Sequence, residues 1–253
     1  MGTRVIRSRG LRLLTLLTIP FSLCSARLQV FVFFASVLFS PEHAPWVLFS
    51  LYLISMSTAM LTALLFKRSV HTAEPFVLEM PPYRFPTLRQ MATRGWIEVR
   101  HFLARASRFI VLGVVLVWLL THWPPGVAAA GPQTWAGMIS QVLAPITQPL
   151  GIDPHLSIAL LFGFVAKEIV IGSLAVIYGL EGDALTQTLA HQMNWIQGYS
   201  FMLFTLIYTP CLSTIATLRH ESKNLRLTLL SLIWSLGLAW MCSFVFYQVA
   251  IRL

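Results

Sequence analysis

The sequence predicts an all-α, polytopic integral membrane protein with discontinuous helices. Hydrophobic residues make up 57% of the 253 residues and charged residues only 11%, and the mean hydropathy is positive. A soluble domain normally carries about a quarter of its residues as Asp, Glu, Lys and Arg. Residues 46–66 and 227–250 are each long enough to cross a hydrocarbon core, which requires about 20 apolar residues. The composition therefore places the chain in a lipid bilayer.

The positive charge of the chain marks membrane topology rather than a nucleic-acid partner. The net charge is +9, but the Lys and Arg residues cluster in short loops beside apolar segments. This distribution is typical of topology determinants. The three cysteines are odd in number and lie in or beside apolar segments, so they predict no disulfide framework.

The first membrane segment is interrupted. The basic start, the apolar run and the small residues near Ala26 resemble a signal peptide. A second apolar run, "LQVFVFFASVLF", follows Arg27 at once, which favours a first membrane segment of a polytopic protein. Residues 13–39 are too long for one ordinary span and contain Pro20, Cys24 and Arg27. We expect half of this stretch to re-enter or to lie at the interface.

The middle of the chain predicts a span, a connector and a second span. Residues 46–66 cross the membrane, and the loop 67–108 is rich in basic residues. The segment "MPPYRFP" is expected to be extended because prolines disfavour helix. From Leu88 to Phe109, apolar residues recur at helical spacing with arginines between them, which predicts an amphipathic helix at the cytoplasmic surface. A span follows at about 107–122.

The remaining segments define the topology. Residues 123–155 lack Lys and Arg and are expected to be external; 156–180 are apolar except for Lys167 and Glu168. If 156–180 dips into the membrane and returns, the flanking loops obey the positive-inside rule, with the N-terminus cytoplasmic and the C-terminus external. The predicted regions are therefore 1–66 with the first interrupted segment, 67–106 as the connector, and 107–253 as the remaining membrane region.

Lys167 and Glu168 form the first candidate site. A lysine at the bilayer centre costs about 2.5–3.5 kcal/mol on insertion scales. Adjacent positions of a helix do not face each other, so each charge needs another partner, or the backbone unwinds between Gly163 and Gly172. Two interpretations stay open: a buried ion pair that holds helices together, and a polar gate at a helix break.

Two proline–cysteine segments form the second candidate site. Pro210 removes a backbone donor within the apolar stretch "LIYTPCLSTIAT", and Cys211 follows it. Pro20 and Cys24 repeat this arrangement in the first segment. Broken segments in corresponding halves indicate a transport site at the midplane. Cysteine sulfur suits the softer divalent transition metals, whereas a lone buried cysteine, such as Cys242, is usually an inert small hydrophobe.

Four signatures resemble the bacterial ferrous iron transporter B family (FeoB), in the order found in that family. They are "IPFSLCSARLQVFVFF", "MPPYRFPTLRQ", "GFVAKEIVIGSLAVIYG" and "YTPCLSTIATLRHES". In that family the two cysteine-bearing segments are called Gate motifs and are proposed to line the iron path. The resemblance implies Cys24 and Cys211 as transient Fe²⁺ ligands. It also implies gating roles for Pro20, Pro210, Lys167 and Glu168, with Glu221 closing the second motif.

The chain departs from the family in one respect. Full-length members begin with a GTP-binding domain, but this sequence contains no G-x-x-x-x-G-K-[ST] and no Gly-Lys pair. We expect no GTP site and no GTPase activity from this chain alone. It resembles the C-terminal half of the family, and a split gene, a truncated relic and a fragment of a larger product all stay open.

The predicted function is the membrane part of a ferrous iron permease in the bacterial inner membrane, with a GTP-binding half or subunit as its partner. The oligomeric state stays open. Ligand softness by itself equally allows Mn, Co or Zn. The alternatives are a permease for another solute, such as a nucleoside or an anion, and a non-transporting scaffold or relic.

Overall fold

The computed structural model describes residues 6, 8–67, 85–126, 131–167, 169–180, 182–208 and 210–252. In this part of the chain every regular element is helical, which confirms the all-α prediction. The helices are α1 Arg9–Thr18, α2 Ser25–Leu38, α3 Ala44–Lys67, α4 Leu88–His122, α5 Trp135–Thr147, α6 Pro154–Val165, α7 Ile169–Tyr178, α8 Gly182–Gln192, α9 Trp195–Ile207, α10 Leu212–Ser222 and α11 Leu225–Arg252. Short 3-10 turns follow α1 at Ile19–Phe21 and α5 at Gln148–Leu150.

Four stretches of the described residues are long and apolar enough to cross a membrane, so the chain is a multi-pass membrane protein. They are Gly10–Leu38, Ala44–Lys67, Trp195–Ser222 and Leu225–Arg252. The pair α7 and α8 would add a fifth if it counts as one span, although it is bent by 83°. The first and third stretches contain the predicted proline breaks.

Helices α3 and α11 bury small polar residues and expose large apolar ones. The buried positions include Ser55, Thr58 and Thr62 on α3, and Ser231 and Ser235 on α11. Leu, Met and Trp side chains cover their outer faces. Small residues at helix contacts let backbones approach closely in lipid, where apolar side chains gain nothing by being inside. The buried stripe therefore faces the protein, and the exposed apolar face is suited to lipid.

The core surrounds α9. This helix packs most extensively against α11 and also contacts α2 and α3. The rings of Phe34 and Phe201 lie with their centroids 4.9 Å apart at its centre. Hydrogen bonds hold both 3-10 turns to this core: Ser55 donates to the carbonyl of Phe21 at 2.7 Å, and Ser200 donates to that of Leu150 at 2.7 Å.

Helices α6 and α7 fold back on each other. Each is shorter than the roughly 20 residues that a span requires, and the two pack side by side. A Cβ atom on Gly163 would lie 2.6 Å from Val170 Cγ2. Positions seven apart on a straight helix are separated by about 10 Å along the axis. The chain thus bends between α6 and α7, and the expectation that it dips into the membrane and returns there stays a prediction.

Two segments take a form that the sequence pattern does not specify. The 123–155 segment contains helix α5. The expected span at about 107–122 is the end of the 35-residue α4, in which Val111–His122 is one of the shorter apolar helices. Much of the 67–106 connector, including most of "MPPYRFP", lies outside the described residues, and the three-part domain division stays a prediction.

Candidate functional site

The first helix break, residues 19–24, follows from Pro20. Helix α1 ends at Thr18, and Pro20 lies in the 3-10 turn because proline lacks the N–H that a helix interior needs. The chain is extended at Ser22, and helix α2 then begins with Cys24 as its N-cap residue. The Cys24 side chain is exposed.

Two further helix breaks contribute to the site, one between α6 and α7 and one between α9 and α10. The latter, called the third break, lies at residues 208–211 and follows from Pro210. Helix α9 ends at Ile207, and α10 begins after Cys211, which occupies the N-cap position. The Cys211 Sγ atom lies 3.2 Å from Thr214 Oγ1. Both predicted cysteines thus stand at the first turn of a helix that restarts after a proline.

Arg27 connects these two breaks. Its side chain is 3% exposed, and its guanidinium donates to the carbonyls of Pro20 at 2.7 Å and Ser22 at 3.2 Å. A third hydrogen bond, at 3.4 Å, reaches the carbonyl of Tyr208 in the third break. One buried cation therefore contacts the main chain of both breaks that carry the candidate ligands.

Tyr208 joins the second break to the other two. This second break, residues 166–168, separates α6 from α7, and Ala166 in it is extended. Lys167 is 2% exposed, and its Nζ atom lies 3.4 Å from the ring centroid of Tyr208, in cation–π geometry. The Tyr208 hydroxyl donates to the Leu160 carbonyl at 2.9 Å. All three breaks therefore meet at Tyr208.

A small cavity adjoins the first break. It has a volume of about 130 Å³ and lies between α1 and α10. Its lining consists of Leu16, Ile19, Pro20, Thr214, Thr217, Leu218 and Glu221. The Glu221 carboxylate in this lining accepts a hydrogen bond from Arg12 at 2.8 Å. Thr214 thus contacts Cys211 and also lines the cavity, which gives a row of polar groups along one face of α10.

The structure brings most of the predicted residues together. Pro20, Pro210 and Lys167 lie at the three breaks, and Glu221 lines the adjoining cavity. Glu168 lies outside the described residues. Cys242 lies within the continuous helix α11 and packs partly buried against the core. Within the described ranges, no group of three or more His, Cys, Asp or Glu side chains could hold a metal ion.

Sequence reasoning missed three residues of the site. Arg27 interrupts an apolar run in the sequence, and a charged residue inside such a run is itself a functional signal in membrane proteins. Arg12 pairs with a residue 209 positions away, and the sequence gives no sign of that contact. Tyr208 is an ordinary aromatic residue in an apolar segment, so only the structure shows its position.

Comparison with known protein families supports the resemblance seen in the motifs. A family model described as "Ferrous iron transport protein B C terminus" matches residues 48–97. A second model, described as "Nucleoside recognition", matches residues 103–225. An Fe(2+) transporter FeoB of Synechocystis is 49% identical over 251 residues, which is 98% of this chain.

The chain belongs to the ferrous iron transporter B family. Similar FeoB proteins occur in Methanocaldococcus jannaschii, 38% identical over 87% of this chain, and in Staphylococcus aureus strain MSSA476, 32% identical over 98%. These alignments cover 41%, 35% and 38% of the three relatives, so the chain spans about two fifths of the length of the FeoB proteins it matches. No solved structure matches the chain.

Proposed function

We propose that this chain is the membrane permease part of a ferrous iron uptake system, in which Fe²⁺ passes the point where the three helix breaks meet. The observation that carries the proposal is the position of Cys24 and Cys211. They cap helices from two separate breaks, and the buried guanidinium of Arg27 joins these two breaks by hydrogen bonds to their carbonyls. The names of the FeoB relatives supply iron as the substrate.

Thiol ligands at helix breaks suit transient binding of this ion. A thiol loses its proton when it coordinates a metal, so the two cysteines acquire charge only when the cation arrives. Thr214, at 3.2 Å from Cys211, adds a hydroxyl oxygen. A conducting site must also release its ion, which a set of few, mixed ligands allows. Pro20 and Pro210 provide the breaks, and Glu221 attracts the cation in the cavity that it lines.

Energy or gating comes from a separate GTP-binding part. The printed sequence has no P-loop motif, and the FeoB relatives are more than twice as long as the region they share with this chain. Lys167, with Glu168 beside it, organises the second break and transmits the state of that partner. The proposal places the chain in the bacterial inner membrane with its N-terminus in the cytoplasm.

A permease for a nucleoside or another organic solute is the second candidate. It is favoured by the description of the model that matches residues 103–225, "Nucleoside recognition". An organic solute would use the aromatic and polar groups around Tyr208 and would not depend on two thiols.

The test is ⁵⁵Fe²⁺ uptake in a host that lacks ferrous iron transport. The chain is expressed alone and together with the GTP-binding half of a FeoB relative, and its presence in the membrane is verified. Each arm includes Cys24→Ser and Cys211→Ser, with Cys242→Ser as the matched control because Cys242 lies within the continuous helix α11.

We expect uptake only with the partner, a loss of at least tenfold in either Gate cysteine variant, and no change in the control. Uptake that is insensitive to both substitutions would overturn the thiol path and favour the organic-solute candidate. No uptake in either arm, with the chain present in the membrane, would overturn the iron permease.

A further inference from the structure

The carbonyl oxygens around Arg27 have the arrangement of a cation site. Three main-chain carbonyls, of Pro20, Ser22 and Tyr208, point to one guanidinium at 2.7, 3.2 and 3.4 Å. They come from two breaks that are far apart in the sequence. We propose that these carbonyls form a binding site for a divalent cation, which Arg27 fills as a tethered cation and which the permeating ion enters by displacing the guanidinium.

The electrostatics of the site favour a positive charge. The carbonyls follow the C-terminal ends of the α1 segment and of α9, where the helix dipole is negative. In transporters with discontinuous helices, unwound carbonyls and the C-terminal ends of half-helices are the groups that coordinate cations. The site therefore attracts a cation because of its backbone, whichever cation occupies it.

Arg27 is held there without a carboxylate partner. Among the described residues, the recorded ion pairs involve Arg12, His220 and Glu221 but not Arg27. The Nε atom of Arg27 is buried and makes no hydrogen bond. Burying an unpaired charge is costly, so the guanidinium is stabilised here mainly by the carbonyl oxygens. A competing divalent cation places its positive charge against the same carbonyl oxygens. The guanidinium can then leave the site.

Entry of the permeating ion would drive this exchange. The proposal rests on the proposed function, since the ion that displaces Arg27 is the permeating divalent cation. Such an ion is repelled by the guanidinium as it approaches, and this repulsion is strong at low dielectric. When the ion displaces Arg27, the hydrogen bond to the Tyr208 carbonyl, which links the first break to the third, is replaced by coordination of that carbonyl to the ion. Ion entry and transfer of this link from the arginine to the ion are then a single event.

The test measures Mn²⁺ binding to the full chain in detergent, followed by electron paramagnetic resonance of the free ion. Mn²⁺ is the probe because it suits oxygen ligands, and a Cys24→Ser, Cys211→Ser background removes the thiols. Arg27→Met removes every donor to the carbonyls. Arg226→Met is the matched control, because Arg226 is an exposed arginine. Helicity by circular dichroism checks that each variant is folded.

We expect Arg27→Met to bind Mn²⁺ at least tenfold more tightly than the background protein, and the control to bind equally. If Arg27→Met does not fold, Arg27→Lys replaces it in the same Mn²⁺ binding measurement. An ammonium is more strongly hydrated than a guanidinium and lacks its fork of donors, so we expect about threefold tighter binding. Affinity within twofold of the background in every folded Arg27 variant would overturn the carbonyl site.

This outcome is distinct from failure of the proposed function. Loss of ⁵⁵Fe²⁺ uptake in the cysteine variants together with unchanged Mn²⁺ affinity would overturn the carbonyl site alone. Tighter Mn²⁺ binding in Arg27→Met, combined with iron uptake that ignores both cysteines, would support the carbonyl site and overturn the thiol path.

Discussion

Arg27 donates a hydrogen bond to the main-chain carbonyl of Tyr208, which lies 181 positions further along the chain. Tyr208 in turn places its ring beneath the Nζ atom of Lys167 and its hydroxyl on the carbonyl of Leu160. Two side chains therefore bring three helix breaks together. The consequences of this arrangement can be measured separately from transport.

Loss of the Tyr208 hydroxyl should have a smaller effect than loss of the ring. Tyr208→Phe removes the 2.9 Å hydrogen bond to Leu160, and a typical net contribution is about 0.5–1.5 kcal/mol. Tyr208→Leu also removes the ring beneath Lys167 and leaves space in the core, so we expect a loss of about 3 kcal/mol or more. The free energy of unfolding in detergent measures both. Tyr52→Phe is the control because that side chain is exposed, and equal losses in the two Tyr208 variants would contradict the role of the ring.

Gly163 allows α6 to approach α7 and Tyr208. A Cβ atom there would lie 2.6 Å from Val170 Cγ2 and 3.0 Å from the Tyr208 hydroxyl. We expect Gly163→Ala to lower the free energy of unfolding by about 1–3 kcal/mol, as overpacking does. Gly172→Ala is the matched control on α7, since a Cβ atom at that position meets nothing within 4 Å. The control should be neutral or should stabilise by up to about 1 kcal/mol; a destabilised control with an unaffected Gly163→Ala would show that the packing described here is wrong.

The ion pair between Arg12 and Glu221 should respond asymmetrically to substitution. Its N–O distance is 2.8 Å, and the side chains are 32% and 6% exposed respectively. Arg12→Gln removes this cation from a buried carboxylate, whereas Glu221→Gln leaves an arginine that can reach water. We therefore expect Arg12→Gln to destabilise more than Glu221→Gln.

A double-mutant cycle should also give a coupling energy of about 0.5–3 kcal/mol between Arg12 and Glu221. Unfolding of the two single variants, the double variant and the parent in detergent provides the four values. Arg226→Gln controls for loss of an exposed arginine. If the losses in free energy of unfolding of the two single variants add up to that of the double variant, the contact between Arg12 and Glu221 contributes nothing to the fold.

The three cysteines should differ in reactivity toward N-ethylmaleimide. Cys24 is exposed, whereas Cys211 and Cys242 are partly buried. In single-cysteine variants we expect Cys24 to be labelled at least tenfold faster than Cys242, because alkylation requires access to the sulfur. In variants that keep two of the three cysteines, Cd²⁺ should slow the reaction of N-ethylmaleimide with Cys24 and Cys211. The rate of labelling of Cys242 should stay unchanged. Mass spectrometry follows each site, and equal protection of all three would argue against a metal path at the breaks.

Local chemistry allowed much of this fold to be predicted. The apolar composition and the run lengths indicate a polytopic membrane protein, because few charged residues can be placed in lipid. Pro20 and Pro210 predict the first and third breaks, because proline removes a backbone donor wherever it lies. The order of the four motifs indicates the FeoB family, which the comparisons confirm. The first two conclusions depend only on residue types and their spacing along the chain, whereas the family rests on the resemblance of the motifs.

Tertiary structure decided how the breaks are joined. Ala166 and Lys167 are residues that favour helix, yet the helix stops there, and Lys167 instead lies over the Tyr208 ring. Arg27 and Arg12 find their partners 181 and 209 positions away. No periodicity can predict such contacts, since they exist only once α1, α9 and α10 pack together. The sequence by itself thus determined the first and third breaks, because proline removes a backbone donor, and the packing determined the second break and which buried charges the three breaks receive.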